Sequence, residues 1–201
     1  AFRETLGAAD LATPDGVGVI LASRLAGRPL RGRVAGVDLV AALAARDDPD
    51  VRLFLLGAAP GIAARAADAL VREHPACRVA GTLSGSPSPA DAPAILAALA
   101  AARPTVLLVA FGAPAQDRWI ANHATDLAAC GIVVAAGVGG TFDYLAGAVP
   151  RAPRLVRQLG FEWLYRLIRQ PWRWRRQLAL PRFVVLVLRQ RPSWVPDRAR
   201  E

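Results

Sequence analysis

Between residues 51 and 145, short apolar runs alternate with longer stretches of helical periodicity, and this alternation constrains the fold more than any other feature. The run 51–56 reads as a buried strand ending at Gly57, and 60–73 as a helix with Pro60 suited to its first turn. A short strand follows at 78–80, then a loop at 81–89 rich in Gly, Ser and Pro. The pattern continues with a helix at 90–102, a strand at 105–110, a helix at 115–128 and a strand at 132–136. A glycine cluster then leads into a helix near 141–145. Upstream, 17–25 and 36–45 have helical periodicity. Strands that alternate with helices in this way belong to a parallel sheet covered on both faces. The expected architecture is α/β: a Rossmann-like parallel sheet flanked by helices. Ligands in such sheets bind beyond the carboxyl ends of the strands, which directs attention to the loops 57–60, 112–116 and 137–143.

Beyond Pro153 the alternation stops. Residues 154–170 and 172–190 read as two helices broken at Pro171, the second open to interruption at Pro181, before a polar tail. Charge divides the chain at the same place. All 25 basic residues are arginines; residues 1–150 hold 12 of them against 13 acids, and residues 151–201 hold 13 against 3. Four of the five tryptophans (Trp163, Trp172, Trp174 and Trp194) lie in the same basic stretch. Arginine interleaved with tryptophan suits an anionic membrane surface, and a polyanion of any kind is a candidate partner. The apolar run 183–188 is far short of the roughly 20 residues that span a bilayer. We therefore divide the chain into an α/β catalytic domain at 1–153 and a basic, Trp-rich helical appendage and tail at 154–201. No methionine opens the sequence, so a processed or excerpted chain is expected.

Cys77 and Cys130 are too few for a disulfide framework or a zinc site and read as buried, reduced cysteines. His74 and His123 are isolated, and read as surface or packing residues. There is no P-loop, and the reading includes neither a metal nor a cofactor.

Several local patterns could carry chemistry. Asp15, in Thr13-Pro14-Asp15-Gly16-Val17-Gly18, is either a turn residue opening a helix or a general base for an acceptor hydroxyl. Gly112-Ala113-Pro114-Ala115-Gln116-Asp117 follows a strand and opens a helix whose N-terminus could face a phosphate or a ribose; an ordinary strand-to-helix turn is the alternative. Gly137-Val138-Gly139-Gly140-Thr141-Phe142-Asp143 is a loose glycine-rich loop, with Asp143 able to accept hydrogen bonds from a sugar or base. Arg166, Arg169, Arg173 and Arg176 recur at helical spacing and could share a cationic face for anionic lipid or a diphosphate.

In this order the motifs resemble the WecG/TagA/CpsF family of glycosyltransferases (glycosyltransferase family 26). The likeness is carried by Pro14-Asp15-Gly16-Val17-Gly18, Arg33-Val34-Ala35-Gly36-Val37-Asp38 and Phe54-Leu55-Leu56-Gly57. The glycine loops at 112–117 and 137–143, then Arg151-Ala152-Pro153, continue it. Glu162-Trp163-Leu164-Tyr165-Arg166 and Pro171-Trp172-Arg173-Trp174-Arg175-Arg176 complete it, so the match runs to about residue 190. The resemblance implies an inverting, metal-independent transfer of N-acetylmannosamine, its uronic acid or a hexose. The donor would be a UDP-sugar and the acceptor an undecaprenyl-diphosphate-linked sugar, in the synthesis of teichoic acid or another cell-surface polysaccharide. It places the base at Asp15 and a second catalytic residue at Gln116. Substrate contacts fall on Gly57, Gly112, Pro114, Gly137, Gly139, Gly140 and Asp143, with Arg166, Arg173 and Arg176 holding the diphosphate. The protein would sit peripherally at the cytoplasmic face of the bacterial plasma membrane, with no nucleic acid as partner and its oligomeric state open, a homo-oligomer included.

The sequence departs from the family pattern in three places. The family's Thr-x-Asn segment, which lines the pocket from an earlier N-terminal stretch, is absent from the sequence. Asp117 stands where a glutamate is usual, and Ser86-Pro87 replaces the aromatic residue expected after Gly85. Two rivals carry different expectations. A nucleic-acid-binding protein would use the basic C-terminal segment and bind with strong salt dependence. An inactive membrane-associated scaffold would have lost turnover together with the N-terminal segment.

Overall fold

A computed structural model of the chain describes residues 2–153, 155, 156, 162–169, 174 and 179–189. In chain order the elements are α1 (Phe2–Gly7), α2 (Val17–Leu25), α3 (Gly36–Ala44), β1 (Arg52–Gly57), α4 (Ile62–Glu73), β2 (Arg78–Leu83) and α5 (Ala92–Ala102). They continue with β3 (Val106–Ala110), α6 (Ala115–Asn122), α7 (Ala124–Ala129), β4 (Val134–Gly137), α8 (Thr141–Leu145), α9 (Glu162–Arg169) and α10 (Ala179–Arg189). Contacts divide the chain into two units, one of Ala1–Ala12 with Ala35–Arg151 and one of Thr13–Val34 with Ala152–Glu201.

The first unit holds a four-stranded, wholly parallel sheet in the order β2-β1-β3-β4. Its central strands have no polar face, because Leu53, Phe54, Leu55 and Leu56 are all buried, as are Val106, Leu107, Leu108 and Val109. Successive side chains point to opposite faces, so each run feeds two cores. Leu53, Leu55, Val106 and Leu108 meet Val40, Ala66, Leu70 and Phe142 on one face. Phe54, Leu56, Leu107 and Val109 meet Ile95, Leu99, Trp119 and Leu127 on the other. Small residues let a helix lie close to the sheet: α4 buries Ala63, Ala66 and Ala67 beside Leu70. Truncating a leucine such as Leu55 to alanine would cost about 2–5 kcal/mol, enough to consume much of an ordinary domain's stability.

The order of strands has a consequence for ligands. From β1 the chain steps outward to β2, then crosses β1 to reach β3 on the other side. The connections therefore diverge at the carboxyl ends of β1 and β3, where an open α/β sheet leaves a crevice.

The helices and strands read between residues 17 and 145 are present, with changed limits; of the helices read at 154–170 and 172–190, α9 and α10 are described, while the break at Pro171 lies outside the described residues. The second strand runs on to Leu83, so Gly81, Thr82 and Leu83 are ladder residues paired with Phe54, Leu55 and Leu56 rather than loop. A Cβ on Gly81 would stand 2.7 Å from the Phe54 ring, so the glycine is there to admit that ring. The helix read at 115–128 is two helices, α6 and α7, meeting at His123. Short α1 was not anticipated. Both cysteines are free, Cys77 buried as expected and Cys130 only half-buried. His123 packs against Trp119 and lies 3.2 Å from Asp126.

In the second unit, α2 opens at Gly16, whose φ of 105° is one that side-chain-bearing residues avoid. The loop beyond α2 is closed by the Val34 N–H donating to the Pro14 carbonyl at 2.9 Å. Ser23 braces it, its hydroxyl donating to the Ile20 carbonyl and accepting from the Leu30 N–H. Helix α2 packs on α10, with Gly18 against the Phe183 ring. Helix α10 runs unbroken through Pro181. Among the described residues, no helix is long and apolar enough to cross a membrane.

Candidate functional site

Gln116 is one of two buried polar side chains among the described residues, only 5% exposed at the start of α6. Burying an amide without partners is costly, so its surroundings are informative. Its Oε1 accepts from the Gly112 N–H at 3.1 Å and from the Gly139 N–H at 3.0 Å. The Gln116 N–H in turn donates to the Gly112 carbonyl at 3.0 Å. One side-chain oxygen therefore joins the loop after β3 to the loop after β4.

The amide fits only because Gly137 lacks a side chain. A Cβ at that position would stand 2.5 Å from Gln116 Nε2 and 2.8 Å from its Cδ. The loop beyond Gly137 is fastened at both ends. The Val138 N–H extends the ladder to the Val109 carbonyl at 2.8 Å, and the Thr141 hydroxyl donates to the Val138 carbonyl at 2.6 Å. Thr141, the other buried polar side chain, was not singled out from sequence; a threonine at a helix start has no spacing signal that separates this bond from ordinary capping.

Gly57 closes the group at the end of β1. The Ala58 N–H donates to the Ala110 carbonyl at 3.3 Å, and a Cβ on Gly57 would lie 2.9 Å from the Phe111 ring and 3.0 Å from the Ala110 carbonyl carbon. Gly57, Gly112, Pro114, Gly137, Gly139 and Gly140 are thus gathered at the carboxyl edge of β1, β3 and β4. The Ala113–Pro114 peptide bond is cis. Asp143 stands half-buried in the first turn of α8, next to Gly140. The first turn of α6 also carries Asp117, whose carboxyl is pushed above its usual range by burial, partly offset by a hydrogen bond from its own backbone N–H. Glycine backbones, a fixed amide and the Asp143 carboxylate form a shelf suited to a polar, multiply hydroxylated ligand.

Two charged contacts buttress this unit. Arg151 reaches Asp38 at 2.7 Å, and Arg65 donates to the Ala146 carbonyl at 2.6 Å. Among the described residues, no group of three or more His, Cys, Asp or Glu side chains could hold a metal ion.

The remaining residues singled out from sequence belong to the second unit. Asp15 is exposed and stands directly before Gly16, the residue that opens α2. Arg166 lies in α9, in which Arg169 sits over the Tyr165 ring at 5.6 Å. Arg173 and Arg176 lie outside the described residues.

Comparison with known proteins extends this reading. An N-acetylglucosaminyldiphosphoundecaprenol N-acetyl-beta-D-mannosaminyltransferase of Bacillus spizizenii strain W23 is 36% identical over 189 residues, covering 94% of this chain and 72% of the relative. A protein of the same name from Bacillus subtilis strain 168 is 34% identical over 190 residues, with the same coverage. The profile of the glycosyl transferase WecG/TagA/CpsF family matches residues 1–195. With a parallel α/β sheet, glycine loops gathered at its carboxyl edge and a match over nearly its whole length, the chain belongs to the WecG/TagA/CpsF family and is a glycosyltransferase.

Proposed function

We propose that the protein transfers N-acetylmannosamine, or a close relative of that sugar, from its UDP conjugate to a sugar carried on undecaprenyl diphosphate. The names of the two Bacillus relatives support the sugar and the acceptor. The observation that supports the reading is the Gln116-tied shelf, where the loops after β3 and β4 are held together at the carboxyl ends of the strands with the Asp143 carboxylate beside them, placed for a nucleotide-sugar.

In the proposed reaction, Asp15 takes the proton from the acceptor hydroxyl. The oxygen attacks the anomeric carbon from the side opposite the leaving group, and the bond to UDP breaks, inverting the configuration. Charge then accumulates on the departing diphosphate. Arg166, Arg173 and Arg176 would neutralise it, since guanidinium groups grip phosphate oxygens bidentately and need no metal to do so. The role of Gln116 would be to position: its carbonyl oxygen already accepts two backbone bonds, so it holds the loops in place instead of exchanging protons. The basic, Trp-rich segment would rest on an anionic membrane surface, which is where the lipid-linked acceptor resides.

A panel of radiolabelled donors (UDP-N-acetylmannosamine, its uronate and UDP-glucose) with a short-chain prenyl-diphosphate sugar tests the reading. Labelled product from UDP-N-acetylmannosamine is expected; hydrolysis alone, or no product from any donor, would remove it.

A further inference from the structure

The second unit contains a basic stretch that the proposed mechanism does not use. From Gly16 to Val34 the chain carries Arg24, Arg28, Arg31 and Arg33 and no acidic residue. Large apolar side chains are exposed among these arginines: Leu21 at 51% and Leu25 at 68% on α2, then Leu30 and Val34 in the loop that follows. On α2, Gly18, Leu21 and Leu25 recur at three- and four-residue spacing and share one face. That face continues onto α10, because Gly18 touches Phe183, and Phe183 and Leu186 are themselves exposed. The result is an apolar surface made by two helices and edged with arginine.

We propose that α2 is a membrane-docking element, and that α2 and α10 together form one surface seated on an anionic bilayer. Charge complementarity selects this occupant. A second copy of the chain would bring four more arginines against these four. A nucleic acid would contact the arginines but leave the leucines in water, without benefit from them. A bilayer interface takes both, the apolar side chains into the acyl boundary and the cations among anionic headgroups.

Docking has a consequence for the reaction, and here the inference rests on the function proposed above. Asp15 immediately precedes Gly16, and α2 extends about 14 Å from there to Leu25. Seating α2 therefore sets the position of Asp15 relative to the headgroups, at the level where a lipid-borne diphosphate sugar emerges.

The test uses the full chain and vesicles, either of phosphatidylcholine alone or with a third phosphatidylglycerol. Replacing Arg24→Gln together with Arg31→Gln should weaken partition onto the anionic vesicles by about fivefold per arginine. Leu21→Ser with Leu25→Ser should weaken it by roughly tenfold or more. Both variants should keep the wild-type circular dichroism and wild-type turnover of a water-soluble, short-chain acceptor. A direct readout that needs no loss of function is an environment-sensitive fluorophore on Leu25→Cys in a Cys130→Ser background. Its emission should shift to the blue on anionic vesicles and much less on neutral ones.

No shift on anionic vesicles, an equal shift on both kinds, or a shift caused by raising protein concentration without vesicles would overturn the proposal. Wild-type binding by both multiple variants would do the same. If the wild-type protein turns over none of the donors, the proposed function fails, while the vesicle result still decides the docking role of α2.

Discussion

Asp15 and Gln116 stand in opposite surroundings, one exposed and one buried. Asp15 is exposed and directly precedes the residue that opens α2, and the proposed reaction makes it the base. Replacing Asp15→Asn should lower turnover by about a hundredfold to ten-thousandfold while calorimetric binding of UDP is retained. Equal activity in the variant would exclude Asp15 as the base. Gln116 matters through what it holds. Gly137→Ala would push a methyl group into its amide, at an expected cost of about 1–3 kcal/mol in thermal unfolding. Adding Gln116→Ala should recover part of that loss, since the clash is removed along with the amide; strictly additive losses would show that the two residues do not interact.

Asp117 lends itself to a pH experiment. Its carboxyl is raised above 3.8 by burial, so the folded state binds a proton that the unfolded state has already released. Stability associated with this group is complete below the unfolded value and is lost as pH rises through the folded one. The variant Asp117→Asn should therefore show a flatter stability profile across the acid range, its advantage over wild type growing as pH rises. Parallel profiles in denaturant melts at several pH values would contradict this.

At the scale of elements, legibility depended on whether the signal was local. Strands β1 and β3 were readable because Leu53–Leu56 and Val106–Val109 are apolar on both faces, which only a central parallel strand tolerates. The end of β2 was missed for the converse reason. Gly81 and Thr82 look like loop residues, and pairing with Phe54 and Leu55 across the sheet overrides their preference. The break at His123 carries no glycine or proline to announce it. The site divides in the same way. That glycine loops would follow β1, β3 and β4 could be read from spacing, and the buried Gln116 was singled out by its motif. The oxygen shared between Gly112 and Gly139 could not, since the register of β3 and β4 must bring Gln116 to Gly139, 23 residues away in the chain. Nor could the exposed apolar face of α2, which looked like any short helix until α10 was seen to cover only part of it.

For the whole molecule, charge is the organising quantity. Residues 1–150 are nearly neutral, and the basic excess lies beyond them. If that excess replaces a metal on the leaving group, changing Arg166, Arg173 and Arg176 together to glutamine should reduce turnover by about a hundredfold or more. A strong chelator should leave the wild-type rate unchanged. Activity abolished by chelation and restored by a divalent cation would assign the diphosphate to a metal instead.

The bond pattern at Gln116 bears on how such a molecule could respond to its substrate. Because a single oxygen receives amides from two loops, neither loop can shift without straining the other's tether. A nucleotide that displaced residues 137–140 would transmit its pull to Gly112 and to the first turn of α6. A pull on one side of the crevice would thus be felt on the other within the span of one side chain, and the two loops would yield together or not at all.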